Sequence, residues 1–599
     1  MKWPEQEIER MRERVAALTG YAYEGEIEVL HEEGLGIDME AGVARVIACD
    51  KPALCRAFFL LSKVQQDGAD SLHIRQERHI ASCGPFLDCS RGAVITVNAA
   101  KRYIDASAAL GMNLLVLYME DTYHVPEFPY FGHLRGRYSP DELREIDRYA
   151  REMGVELVPC IQTLAHLGQF LQWRDNEHLK DTPYCVMIDE EETYALIEAE
   201  IRAMRGYVNG KRLHIGMDEA HGVGLGRYFA KHGLVDRFDL LKRHLERVVQ
   251  ICEKYGFETM MWSDMFFRLG SATGEYYDTD ASVPQRVLDD MPPVDMVYWD
   301  YYHDDEAFYD RMFTEHAKMG ARTVFAGGIW TWAGFLPHAA LTEATMLTAL
   351  RSCVRHNTQT VIATMWGDDG NETDFFLALS LLPIFSEACW RGDEFTREEC
   401  ARLGAFLTRI PEQAFEAFSL CYSGPVDDRT CKGLIYCDVL YPLLPRSPDL
   451  PAWAARFADA RKALRPYLHI DACCYADAVF AIAELKANLI LKIRGAYKSR
   501  DLDMLRSVGD SEIDTLLERY ESLIALHRAQ WEASYKRNGW EIFALRYGAV
   551  MGRLRDAQYA LRRFVDGSLD SLSELDEPAL DATRRSGMQW YDVYVHPKL

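Results

Sequence analysis

Leu213-His214-Ile215-Gly216-Met217-Asp218-Glu219 runs from a short apolar stretch directly into two adjacent carboxylates. The mouth of a buried parallel sheet is where α/β proteins place their chemistry, and this stretch reads as a strand that opens onto such a mouth. On a regular strand Asp218 and Glu219 would point to opposite faces. One of them would then be buried among helices, at high cost for an unpaired charge. The more economical geometry ends the strand at Met217 and turns both acids toward the mouth. There, different surroundings can leave one carboxyl protonated and the other ionised.

Outward from this stretch, strand and helix patterns alternate. Further strands are expected at Phe86–Ser90, Leu114–Asp121, Glu156–Gln162, Glu258–Met265, Asp295–His303, Thr323–Trp330 and Thr360–Asp368, which with Leu213–Glu219 makes eight. The clearest intervening helix starts at Ser139-Pro140-Asp141-Glu142, a capping box with Pro at the first helical position. It continues through Leu143, Ile146 and Tyr149 and stops near Gly154. Eight such units predict an α/β fold of the (β/α)8 TIM-barrel type, with a doubly wound open sheet as the alternative. Before it, Ile27 and Val29 alternate with glutamates, Val43, Val46 and Ile47 suggest another strand, and Asp50 caps a helix with Pro52 in its first turn. After it come helical stripes, Ile482, Leu485, Leu489 and Ile493, then Ile513, Leu516, Tyr520, Leu523 and Trp531, beyond a proline-rich connector from Pro442 to Pro451. The expected organisation is a small α/β domain over 1–82, the barrel over 83–395 and an α-helical domain over 396–599. Such stripes serve as core or as a subunit interface, so the helical region is compatible with a homodimer.

The 599 residues carry a formal charge of -25, which argues against wrapping nucleic acid and leaves a neutral substrate such as a sugar open. Fifteen cysteines without a CxxC pair fit reduced thiols better than a zinc ribbon or disulfide scaffold. The N-terminus lacks the apolar run of a secretory signal, and no apolar stretch reaches the roughly 20 residues that span a bilayer. A cytoplasmic protein without membrane contact is expected.

The predicted strand ends concentrate chemistry. They bring Asp88 and Arg91, then Glu120-Asp121, Gln162 and His166, Asp218-Glu219, Trp262-Ser263-Asp264, Trp299-Asp300-Tyr301-Tyr302, Trp330-Thr331-Trp332 and Trp366-Gly367-Asp368. Five of the twelve tryptophans fall at four successive ends. Indole faces suit the apolar faces of pyranose rings, while packing beneath loops is the bland alternative.

His214-Ile215-Gly216-Met217-Asp218-Glu219 resembles the His-x-Gly-x-Asp-Glu motif of glycoside hydrolase family 20, the β-N-acetylhexosaminidases. The resemblance extends through Gly84-Pro85-Phe86-Leu87-Asp88, Arg91, Glu120-Asp121, His166 and the strand-end tryptophans, over roughly residues 25 to 395. It implies Glu219 as general acid/base and Asp218 as partner of the substrate's acetamido N–H. It implies that Asp121 and His166 form a pair relaying hydrogen bonds to Glu219, and that Arg91 grips the sugar's distal hydroxyls. Trp262, Trp299 and Trp366 match aromatic walls, with Trp330 and Trp332 as further sugar contacts. Tyr301, with Tyr302 as its rival, matches the tyrosine on the acetamido carbonyl, and Asp368 stands where many members have Glu at O4 or O6. Two departures are Glu120-Asp121 for the usual Asp-Asp, and Leu164-Ala165-His166 for the usual Pro-Gly-His turn.

The implied chemistry also accounts for two neighbouring acids. Ordinary retaining glycosidases set two carboxyls ~5 Å apart across the scissile bond, one as nucleophile, which sequence neighbours cannot easily do. In the substrate-assisted variant the 2-acetamido oxygen attacks C1 and forms an oxazolinium intermediate. Asp218 would stay ionised to orient the amide, and Glu219 would be protonated to donate to the leaving oxygen. The resemblance thus implies an exo-acting retaining enzyme with no cofactor or metal. Its substrates would be small oligosaccharides or glycoconjugates ending in β-GlcNAc or β-GalNAc. Two rivals remain at this point. One is a metal-dependent barrel using His214, Asp218, Glu219 and Asp264, and the other is a silent sugar-binding barrel.

Overall fold

The computed structural model describes residues 2–444 and 449–577; part of the proline-rich connector, residues 445–448, lies outside the described residues. A four-stranded sheet comes first, built from β1 (Glu26–Leu30), β2 (Leu35–Glu40), β3 (Val43–Ala48) and β4 (Ser71–Gln76) in the order β1-β3-β2-β4. The helix Lys51–Gln66 follows β3, with Asp50 accepting from the Ala53 N–H as its cap.

Eight further strands close into a barrel: β5 (Ser82–Asp88), β6 (Leu114–Glu120), β7 (Glu156–Ile161), β8 (Arg212–His214), β9 (Glu258–Trp262), β10 (Val294–Trp299), β11 (Thr323–Gly328) and β12 (Thr360–Met365). Every neighbouring pair is parallel, and β12 pairs with β5 to complete the ring. The fold is therefore the (β/α)8 barrel, not the open doubly wound sheet. Inward side chains such as Phe86, Val116, Val158, Met260, Val297 and Ile362 pack into one buried core along the axis. The predicted helix is Pro140–Glu152, and Ser139 and Glu142 form its capping box reciprocally.

The expected end of the fourth barrel strand needs correction. Regular pairing in β8 stops at His214, three residues before Met217. Gly216 (φ 72), Met217 (φ 73) and Glu219 (φ 48) lie in the left-handed region, so the chain coils instead of continuing the pleat. A methyl group on Gly216 would come 2.1 Å from Gln162 Oε1, so glycine serves the close approach as well as the turn.

The chain divides into two compact units. The first comprises Met1–Ile329, Thr342–Trp366 and Leu381–Arg409, and holds the small sheet and the barrel strands. The second comprises Trp330–Leu341, Gly367–Ser380 and Ile410–Leu599, and its long helices are Leu450–Leu464, Asp471–Ser499, Ile513–Ser534 and Trp540–Val565. The predicted stripe residues Ile482, Leu489, Ile493, Ile513, Leu516, Tyr520, Leu523 and Trp531 are buried there, and Leu485 is half-buried. Among the described residues no helix is long and apolar enough to cross a membrane.

Candidate active site

The turn after β8 sends both carboxylates to one side. His166, in the left-handed region itself (φ 56), meets them: its Nε2 lies 3.2 Å from Asp218 Oδ2 and 3.4 Å from Glu219 Oε2. Gln162 supplies the scaffold. Its Nε2 donates to Asp218 Oδ1 (2.7 Å) and to Tyr118 Oη (2.9 Å), and its Oε1 accepts from the Met217 N–H (3.2 Å). Every polar valence that matters on that amide is used, which fixes its orientation and, through it, Asp218. Behind the turn, buried Asp264 accepts from the Glu219 N–H at 3.0 Å.

The two acids differ in exposure. The Asp218 side chain is 10% exposed and that of Glu219 is 40%, so only the second opens toward solvent. Burial alone would raise the Asp218 carboxyl, but the His166 imidazolium and the Gln162 donor bring it down to about 2. Burial likewise opposes charge on Glu219, yet His166 and Tyr276 hold it below its ordinary value. Burial also disfavours the His166 cation, but Asp218, Glu219 and Glu120 together raise it well above 6.5. Burial and the neighbouring Asp218 and Glu219 charges push Asp264 well above the usual carboxylate range. These directions favour a cationic His166 between ionised Asp218 and Glu219 before substrate binds, whereas a protonated Glu219 is the form the resemblance implies.

A second correction concerns the acid next to His166. It is Glu120, 3.6 Å from Nδ1, and not Asp121. The register between β6 and β7 shifts between Tyr118 and Glu120, and Glu120 takes φ 48, so Glu120 is the residue turned toward the histidine. Asp121 is buried and accepts from Arg135 Nε at 2.9 Å. Arg135 comes from the loop after β6, which has no periodic pattern to reveal it.

Arg91 is aimed by Asp88, which accepts from its Nη1 at 3.2 Å, with Glu120 at 3.7 Å. Its guanidinium lies over the rings of Tyr118 (5.1 Å) and Trp366 (5.4 Å). Trp366 packs against Phe86 and Trp262, and its Nε1 donates to Tyr301 Oη at 3.0 Å. Tyr301 stacks on Trp299 with centroids 5.4 Å apart, whereas Tyr302 is 57% exposed. Of the two tyrosines, Tyr301 belongs to this aromatic wall. Trp330, Trp332 and Asp368 fall in the second unit. There Trp330 and Trp332 are buried and stack at 4.5 Å, and Asp368 opens the short turn Asp368–Gly370.

Among the described residues no group of three or more His, Cys, Asp or Glu is placed to hold a metal ion. His214, a ligand in the metal reading, accepts from the Gly216 N–H at Nδ1 (3.1 Å), packs on Trp262 and is lowered to about 3 by burial. His244 sits in the core between Tyr194 Oη (3.2 Å) and the Thr163 carbonyl (2.9 Å).

Residues 83–279 match the glycosyl hydrolase family 20 catalytic domain, and residues 423–593 match the Glycoside Hydrolase 20C C-terminal domain. The chain is 28% identical to Hexosaminidase D of Bos taurus over 265 residues, covering 42% of this chain and 70% of that relative. Two solved structures share the fold. The Flavobacterium johnsoniae chitobiase has a TM-score of 0.51 at 16% identity, covering 95% of this chain and 90% of that one. The GH20 exo β-N-acetylglucosaminidase of Vibrio harveyi has a TM-score of 0.51 at 14% identity, covering 68% and 73%. The catalytic and C-terminal family matches, together with the Hexosaminidase D relative, place this chain in glycosyl hydrolase family 20 as a glycoside hydrolase.

Proposed function

We propose that the protein is an exo-acting, retaining β-N-acetylhexosaminidase that removes terminal GlcNAc or GalNAc by substrate-assisted catalysis. The observation that carries this reading is that Asp218 and Glu219 both meet the same His166 nitrogen, at 3.2 and 3.4 Å. Carboxylates on one side of a site do not supply a nucleophile and an acid on opposite faces of a bond. The nucleophile then belongs to the substrate. Asp218, ionised and fixed by Gln162, accepts the acetamido N–H and stabilises the charge that develops on the oxazolinium ring. Glu219, the more exposed acid, gives a proton to the leaving oxygen and takes one back from water.

Glu219, held below its ordinary value before substrate binds, must gain a proton before the bond breaks, and substrate entry, by displacing water around that carboxylate, favours its protonated form. Arg91 offers its guanidinium to distal hydroxyls beside the Trp366 face, Trp299 and Tyr301 form the wall for the acetamido group, and Trp262, fully buried in the barrel core, backs Trp366. Hexosaminidase D and the two structural relatives support the substrate class. Fifteen cysteines, thirteen of them buried and none in a disulfide among the described residues, favour a reducing, cytoplasmic setting. The test is turnover of an aryl β-GlcNAc together with inhibition by a GlcNAc-thiazoline. Glu219→Ala should abolish nearly all turnover, and the thiazoline should inhibit the wild type strongly. Normal turnover in the variant, or indifference to the thiazoline, contradicts the reading.

A further inference from the structure

The two oxygens of Glu219 have different partners. Oε2 faces His166, whereas Oε1 accepts a hydrogen bond from Tyr276 Oη at 2.9 Å. The same hydroxyl is 2.8 Å from Nε2 of His221, whose ring is exposed. Tyr276 lies beyond the helix Asp264–Gly270, with its ring against Trp299 (5.1 Å) and the Arg268 guanidinium 4.6 Å over its centre.

A phenol carries one proton. When Tyr276 donates to ionised Glu219, its oxygen can only accept from His221, which fixes the neutral imidazole with its hydrogen on Nε2. When Glu219 is protonated, both bonds reverse: Glu219 donates to Tyr276, and Tyr276 donates to His221 Nε2. A neutral imidazole supports either direction. Burial, with the positive charges of Arg268, His166 and Arg237, keeps His221 below 6.5 despite Glu219.

We propose that Tyr276 and His221 are positioning residues that hold Glu219 and carry its proton to and from solvent. In the arming direction a solvent proton binds His221 Nδ1. The Nε2 proton passes to the Tyr276 oxygen, and Tyr276 gives its own proton to Glu219 Oε1. One proton enters, Glu219 becomes neutral, and His221 ends neutral with its hydrogen on Nδ1. The inference rests on Glu219 being the acid.

The test compares kcat/KM on phenyl and 2,4-dinitrophenyl β-GlcNAc. Phenoxide needs a proton to leave, and dinitrophenolate does not. Tyr276→Phe keeps the ring on Trp299 and deletes the hydroxyl. It should lose about tenfold or more on the phenyl substrate, the scale of a hydrogen bond to a charged group, and remain unchanged on the dinitrophenyl one. His221→Ala should lose less, with the same selectivity, and added imidazole should restore it. Equal losses on both substrates, or no loss on either, overturn the proposal. Glu219→Gln measured alongside separates the two levels. If it too fails to distinguish the substrates, the acid assignment falls and the relay with it. If Glu219→Gln is selective and Tyr276→Phe is not, the acid stands and the relay is wrong.

Discussion

His166 is the residue on which the charge balance of the site turns. Burial works against its cation, and the Asp218, Glu219 and Glu120 carboxylates prevail, so its charge persists above pH 6.5 and is lost only as pH rises through the raised value. The alkaline limb of kcat/KM reports groups of the free enzyme, so in the wild type it should lie above pH 6.5. Glu120→Gln removes one of the charges that raise His166 and should move that limb to lower pH. A pH profile of the variant whose limb is unmoved or displaced upward would contradict this account.

At the scale of elements, the turn after β8 decides where the acids point. Gly216→Ala would force a methyl group against Gln162 Oε1 and strain a backbone at φ 72, and Gln162 is what holds Asp218. A displacement of this size at a positioning group costs on the order of a hundredfold in kcat/KM. Wild-type kinetics in Gly216→Ala would show that the turn does not set the geometry. All eight barrel strands were legible because strands buried on both faces read as apolar runs, and Val116, Val158 and Val297 are such residues. The alternation rule also located the problem at Asp218-Glu219, but not the solution. Coiling begins at Gly216 because backbone geometry, which side-chain pattern does not encode, takes over there. The strands β2 and β4 were missed for a different reason. Gly36 and Asp38 interrupt the first, and the second, Ser71-Leu72-His73-Ile74-Arg75-Gln76, is an edge strand whose side chains are half-buried at best. Tyr276 and Arg135 come from irregular segments and announce themselves only through the contacts they make.

At the scale of the whole molecule, the second unit has a polar centre of its own. Lys432 Nζ lies 2.8 Å from Asp369 Oδ2 and 2.7 Å from Glu372 Oε2, and Arg546 reaches the same two acids at 3.2 and 3.1 Å. All four side chains are at most 5% exposed. Removing one partner of such a buried cluster leaves uncompensated charge, so Lys432→Met should cost about 3–5 kcal/mol, read as a lowered unfolding midpoint in denaturant. Arg506→Ala, which breaks a solvent-exposed pair with Asp503, should leave the midpoint nearly unchanged. Equal effects of the two substitutions would show that burial of the cluster does not govern its weight.

The central claim is that the substrate brings its own nucleophile because Asp218 and Glu219 share one side of the site. The most direct measurement is kcat/KM along a series of aryl β-glucosaminides whose N-acyl group changes from acetyl through mono-, di- and trifluoroacetyl. Each fluorine weakens the carbonyl oxygen as a nucleophile, so the account predicts a steep, monotonic fall across the series. A flat series would contradict it, placing the attacking group on the protein.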